Sequence, residues 1–347
     1  MRKQNIDLSA AVTVGLDLAK LIFQVHVVDG SGGVLLTRAI RRQDLLPFFE
    51  QLPPCLVGLE ACGSAHHWAR RLIGCGHDVR LMPPAYVKAY VRRQKNDAAD
   101  AAAICEAVTR PSMRFVPVRS IANQAALMHH RVREILVAQR TQMLNALRGH
   151  LAEIGIIAAQ GPNNARSLAA LIGSGDEAEI PSTVQTALAP LVRQIEHLDA
   201  EIAVSDDAIE QLAKENETAR RLMTVPGIGP VTASAIAATV QDISAFEGPR
   251  AFSASIGLTP RQNSSGGKER LGRISKMGDR YLRKLLVVGA HAVLRHRRKG
   301  EDALRTWASR LLDTKPFRVV AIAVANKLAR IAFALMRGGS RYRGAAA

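Results

Sequence analysis

The sequence predicts a mixed α/β chain that is strand-rich at its start and helical afterwards, and three observations predict it. Short apolar runs separated by Asp29-Gly30, Gly32-Gly33 and Pro83-Pro84 crowd the opening stretch. Residues 121–157 contain no proline and almost no glycine, so one long helix can form there. Aromatic residues are only 4% of a chain that is 48% hydrophobic, which leaves aliphatic packing to build the cores and argues against disorder.

In order along the chain, 12–18 is an apolar run and 22–28 alternates, with Phe23, Val25 and Val27 on one face. The glycine turns lead into 34–37, so the first three strands form a meander. A further strand at 56–59, a helix over about 64–73 and a strand at 79–82 complete a β-α-β unit, the order found in RNase-H-like domains. After Asn96 the pattern turns helical, with breaks at 161–164 and 173–175. Leu191, Ile195, Leu198, Ile202, Ser205, Ile209 and Leu212 then step by four and three, a seam that implies a coiled coil, a helical hairpin or a helix packed within its own domain. The expected domains are 1–160, an α/β domain bearing the candidate metal-binding carboxylates; 161–215, a helical or coiled-coil linker; and 216–347, a mainly α basic domain.

Charge divides the chain unevenly. Residues 248–347 carry 22 Lys/Arg against 5 Asp/Glu, which accounts for the whole net charge of +17. The preceding residues balance. A basic third joined to a neutral remainder points to phosphate neutralisation by one part of the molecule, with the remainder doing something different. Cys55, Cys62, Cys75 and Cys105 show no C-x-x-C pair and no finger-spaced histidine, which excludes a zinc finger and reads as core thiols in a reducing cytoplasm. The N-terminus lacks the apolar core of a signal peptide, and the apolar stretch 319–336 is interrupted by Asn326, Lys327 and Arg330, so a buried or amphipathic helix is expected there and no membrane partner.

Four carboxylates fall where strand ends and helix starts would gather them. Asp17 sits in an apolar strand, where an unpaired charge costs several kcal/mol. Glu60 ends the strand 56–59. Asp97 and Asp100 share a helical face by their i, i+3 spacing, although acidic residues also favour helix starts for electrostatic reasons alone. Four converging carboxylates repel one another unless divalent cations sit between them, and hard oxygen donors suit Mg²⁺ or Mn²⁺.

Two glycine-rich segments lie beside or within the basic third. VPGIGP at 225–230 resembles the turn of a helix-hairpin-helix element, in which Gly227 and Gly229 would let backbone approach a phosphate. The stretch 257–268 is a polar loop holding Arg261, Ser264, Ser265, Gly266, Gly267 and Lys268, followed by Arg270, Arg273 and Lys276. Its cations would attract phosphate. A serine hydroxyl is a poor nucleophile without an activating partner, and the local sequence supplies none, so on those residues alone Ser265 reads as a phosphate ligand.

GLDLAK around Asp17, GLEACG around Glu60, QKNDAADA around Asp97 and Asp100, VPGIGP and GLTPRQNSSGGKERLGRISKMGD at 257–279 occur in an order that resembles the DEDD-type transposases of bacterial insertion sequences, the bridge-RNA-guided recombinase group. The resemblance spans nearly the whole chain. It implies a RuvC-like first domain whose carboxylates Asp17, Glu60, Asp97 and Asp100 bind Mg²⁺, a coiled coil, and a C-terminal domain with a helix-hairpin-helix element and a nucleophilic serine, Ser265 or its neighbour Ser264. It further implies a dimer or tetramer in which the serine of one subunit meets the carboxylates of another, a guide RNA encoded by the element, and a cytoplasmic, nucleoid-associated place in a bacterium. A metal-dependent DNA nuclease or junction resolvase using water is the alternative.

Overall fold

The structure is a computed structural model that describes residues 7–91, 96–157, 167, 172, 180–268, 270–296 and 302–344. The expected breaks at 161–164 and 173–175 lie outside these residues. The chain separates into two compact units, Met1–Ser120 and Ile121–Ala347. The helix beginning at Ile121 belongs to the second of these, whereas the domain expected from sequence ran on to residue 160.

In the first unit, β1 (Thr13–Asp17), β2 (Ile22–Val28), β3 (Val34–Arg41), β4 (Leu56–Glu60) and β5 (Asp78–Met82) form one sheet in the order β3-β2-β1-β4-β5. The meander β1-β2-β3 is antiparallel, while β1, β4 and β5 run parallel. Strand alternation assigns the two faces. Val14, Leu16, Phe23, Val25, Val57 and Leu59 join Leu45 and Phe49 of α1 (Leu45–Phe49) and Trp68 and Leu72 of α2 (Ala65–Gly74) in one core. A short helix α3 (Pro84–Val87) follows β5.

Helix α4 (Asp97–Val108) packs against β1 and β4 on the alternate residues. There the strands carry glycine. Gly15 and Gly58 are register partners, and a Cβ on Gly15 would lie 2.1 Å from the Ala101 carbonyl oxygen and 2.5 Å from the Cys105 nitrogen. A Cβ on Gly58 would stand 2.8 Å from that of Val108. The helix therefore rests on bare backbone at both strands.

The second unit is helical except for one hairpin. Its elements are α5 (Ile121–Glu153), α6 (Ser182–Glu215), α7 (Glu217–Leu222), α8 (Pro230–Thr239), α9 (Pro249–Ser255), α10 (Arg280–Arg295), α11 (Ala303–Leu312) and α12 (Phe317–Gly338). Helices α5 and α6 pack antiparallel: Leu147 and Leu151 meet Leu188, Val192 and Ile195, while Arg133 pairs with Asp206 and Arg140 with Asp199. The periodic seam is thus covered within the chain, with Ile195, Leu198, Ile202 and Ile209 all buried. His130, buried in α5, shares hydrogen bonds with Tyr281 Oη (3.2 Å) and Ser234 Oγ (3.2 Å), which ties α5 to α10 and α8. Burial pushes its imidazole down to about 4, so it stays neutral.

Helix α12 is long and apolar enough to cross a membrane, yet Val320, Val324, Leu328, Ala332 and Phe333 are buried in the core of this unit. This is the buried helix the interrupting charges predicted. Gly227 adopts φ +86° and abuts α10, where a Cβ on Gly289 would come within 2.0 Å of its carbonyl oxygen. Gly229 is exposed in extended backbone with open space around it. We expect Gly289→Ala to cost about 1–3 kcal/mol, seen as a lower urea midpoint with unchanged slope, while Gly229→Ala leaves the midpoint within experimental error.

Candidate active site

The acidic cluster arises from the same strand positions that seat α4. In β1 and β4, Asp17 and Glu60 follow the glycines by two residues and so project to the helix-bearing face. Both end parallel strands, the edge at which α/β sheets bind their ligands. The helix begins there. Asn96 caps α4 by accepting the Ala99 N–H at 2.7 Å, which fixes the first turn carrying Asp97 and Asp100. The carboxylate oxygens of Asp17, Asp97 and Asp100 all come within 4.8 Å of one another. Glu60, on the neighbouring strand end, adds its charge to the field at Asp17.

Burial, and then the charges of Asp100, Asp97 and Glu60, push the Asp17 carboxyl up to about 6. Among the described residues no lysine or arginine pairs with Asp17, Asp97 or Asp100. Uncompensated oxygen donors packed this closely fit a hard divalent cation, which would supply the missing positive charge. Asp17, Asp97 and Asp100 would hold it, with Glu60 beside them. Cys62 departs from expectation. The residue is exposed overall, but partial desolvation of its sulfur, and then the charges of Glu60 and Asp17, raise its thiol pKa, so it lies at the rim of this site. Cys55 and Cys105 are core thiols as expected.

The serine segment is a β-hairpin, where sequence reading expected an irregular loop. Strands β6 (Pro260–Gln262) and β7 (Leu271–Ile274) pair antiparallel. Ser265 and Lys268 bridge across a turn in which Gly266 (φ +56°) and Gly267 (φ +75°) both take the left-handed conformation that tight hairpins require. Flanking strands that are polar and exposed gave no alternation to detect. Ser264 Oγ accepts the Arg270 N–H at 3.1 Å. Among the described residues nothing hydrogen-bonds the Ser265 hydroxyl, which stands exposed at the tip beside Lys268.

The foot of this hairpin is fixed. Arg283 of α10 donates to the carbonyls of Ile256 (2.7 Å) and Met277 (2.8 Å), and a Cβ on Gly278 would fall 1.7 Å from the Ser255 carbonyl oxygen. Arg261 and Arg273 are exposed on the strands, with Arg261 Nη2 donating to Ser275 O at 3.3 Å, and Lys276 lies at the foot with φ +56°. Sequence reading did not find Arg283, whose role depends on a fold contact. The 225–230 turn departs in part from its expected use. Gly227 serves packing against Gly289, Pro230 has no N–H, and Thr232 is buried, so the start of α8 presents few amides to a ligand.

A five-stranded mixed sheet with three converging carboxylates and a fourth beside them on strand ends and a helix start, followed in the chain by a basic helical unit, defines a DNA transposase of the DEDD class. The family described as "Transposase", DEDD type, matches residues 14–156, and the "Transposase IS116/IS110/IS902 family" matches residues 219–305. The chain is 47% identical to a "Probable family 20 transposase" of Pseudomonas aeruginosa, across 95% of this chain and 98% of that protein. It is 38% identical to the transposase for insertion sequence element IS1328 of Yersinia enterocolitica (94% and 97% covered), and 36% identical to that for IS1111A of Coxiella burnetii (99% and 94%). This chain belongs to the IS110/IS116 family of DEDD transposases.

Because the folded-state pKa of Asp17 lies above its unfolded value, ionising it opposes folding, and metal-free stability falls as pH rises from about 4 through about 6. Asp17→Asn should raise the metal-free melting temperature at pH 7.5, worth roughly 1–2 kcal/mol after discounting for the carboxyl's exposed half. Mg²⁺ or Mn²⁺ should raise the melting temperature of the parent and not of the variant; equal shifts in both would sink the site. Gly15→Ala forces α4 off the strand, and calorimetric Mn²⁺ titration should show affinity reduced about ten-fold or more.

Proposed function

We propose that this transposase cuts and rejoins DNA strands through Ser265, with the carboxylates Asp17, Glu60, Asp97 and Asp100 holding Mg²⁺. The observation that carries the serine reading is the hairpin tip: an exposed hydroxyl with no hydrogen-bond partner among the described residues, beside a lysine and mounted on a pinned support. Ser264 is the lesser candidate because its oxygen already accepts a backbone N–H.

In this reading Lys268, Arg261, Arg273 and Lys276 bind the phosphates of the strand and bring one phosphodiester to the tip. Backbone at Gly229 adds a contact without base information. Ser265 Oγ loses its proton and bonds to phosphorus, while the bond from phosphorus to one deoxyribose oxygen breaks and that oxygen takes a proton. Asp17, Asp97 and Asp100, with Glu60 beside them, would hold a divalent cation that would offset the negative charge growing on the phosphate. The phosphoserine keeps the bond energy, so reversal onto another strand's hydroxyl needs no nucleotide triphosphate.

The family resemblance supports three further parts of the proposal. The serine of one copy acts with the carboxylates of another, within a dimer or tetramer. A structured RNA encoded by the element pairs with the DNA and supplies sequence choice, leaving the protein to hold the backbone. The order of a carboxylate-bearing domain, a helical linker and a basic domain, with the limits 1–160, 161–215 and 216–347 read from the sequence, fits the same resemblance.

Ser265→Ala should abolish a covalent protein–DNA adduct detectable on denaturing gels, and Ser264→Ala should reduce it less than ten-fold. Mixing Ser265→Ala with Asp17→Asn protein should restore strand exchange if the two groups act from different copies. Rejoining by Ser265→Ala alone would point to water as nucleophile and overturn the serine assignment.

A further inference from the structure

We propose that the groove at the foot of the serine hairpin receives an unpaired DNA base from the strand under attack, an inference that rests on the proposed binding of DNA by this hairpin. The groove has a volume of about 520 Å³, within the range of about 300–1,000 Å³ typical of small-molecule sites. Pro260 and Ile274, register partners at the hairpin's foot, form one wall. Trp307 of α11 and residues of α12 form the other.

Its chemistry matches a nucleotide. The walls are largely apolar, as the faces of a base require, and an indole is available for stacking. Lys327 Nζ lies 5.8 Å from the Trp307 ring centroid, and Arg330 adds a second cation at the edge. Among the described residues no acidic side chain lines the groove. A purely apolar protein segment seated there would leave those cations desolvated, whereas a nucleotide offers a phosphate with its base.

Asn326 gives the groove a directional contact. Its Nδ2 donates to Leu258 O (3.1 Å) and Ser253 Oγ (3.4 Å), so both amide hydrogens are engaged and the orientation is set. Oδ1 remains as an acceptor, suited to an exocyclic amine of a base. The path from Pro260 to Ser265 spans roughly 17 Å at about 3.3 Å per residue. With a rise of about 3.4 Å per nucleotide along a stacked strand, the held base lies a few nucleotides from the bond that Ser265 attacks.

Trp68 and Trp307 are the only tryptophans, so emission lost on Trp307→Phe belongs to Trp307. The full chain, in low salt with chelator, is titrated with a labelled single-stranded DNA oligonucleotide, with the same oligonucleotide carrying a run of abasic nucleotides, and with RNA of the same sequence. Anisotropy reports binding and tryptophan emission reports the groove. Intact DNA should quench the parent and not Trp307→Phe, and should bind about ten-fold more tightly than the abasic strand. Ala323→Leu, which narrows the groove, should remove that difference while the protein melts as the parent does. Equal affinity for intact and abasic DNA with no quenching overturns the base groove and leaves DNA binding standing. A stronger response to RNA overturns the DNA assignment, and absence of all binding overturns both the groove and the hairpin's proposed role.

Discussion

Close approach between α4 and two adjacent strands is the constraint on which the acidic site depends. Side chains at positions 15 and 58 would hold the helix away, and only glycine lets Ala101, Cys105 and Val108 reach the sheet. Because strand side chains alternate, the next residue on that face is Asp17 in one strand and Glu60 in the other. The helix start then lies over those strand ends, and the Asn96 cap fixes its first turn. Packing and chemistry are thus coded by the same few residues, as Gly-Leu-Asp and Gly-Leu-Glu.

The price of this arrangement is electrostatic. Burial of Asp17, and then three neighbouring carboxylates of which two lie within 4.8 Å of it, favour protonation over charge, which is why the Asp17 carboxyl rises to about 6. A helix N-terminus offsets part of the repulsion, typically by less than about 1 kcal/mol at a surface. The remainder is released only when a cation binds. The second unit presents a different balance, in which an apolar helical core and the neutral His130 network support an exposed, cationic hairpin.

Strand order, the carboxylate positions and the buried nature of α12 were legible because each rests on local pattern: period-two alternation, a charge in an apolar run, and cations interrupting an apolar stretch. What was illegible depended on contacts distant in sequence. Gly227 looked like a phosphate-facing glycine, but its neighbour is Gly289, which no local window reveals. The hairpin was hidden because β6 and β7 are exposed on both faces, so no hydrophobic alternation marks them, and only the Gly266-Gly267 pair hinted at a turn. Cys62 read as core because its type is often buried, whereas its place after Glu60 sets it at the rim. The seam in α6 specified an apolar partner without saying which, and α5 of the same chain supplies it.

The anchored hairpin also behaves as a ruler. Its foot is clamped by Arg283 and by the contact of Gly278 with Ser255, while the described residues of its tip are exposed. Adding a pair of residues to each strand would preserve facing and turn while carrying the hydroxyl outward by about 7 Å. Under the serine proposal, strand length in this one element sets how far from the helical core the hydroxyl meets a DNA strand, without rebuilding the surrounding helices.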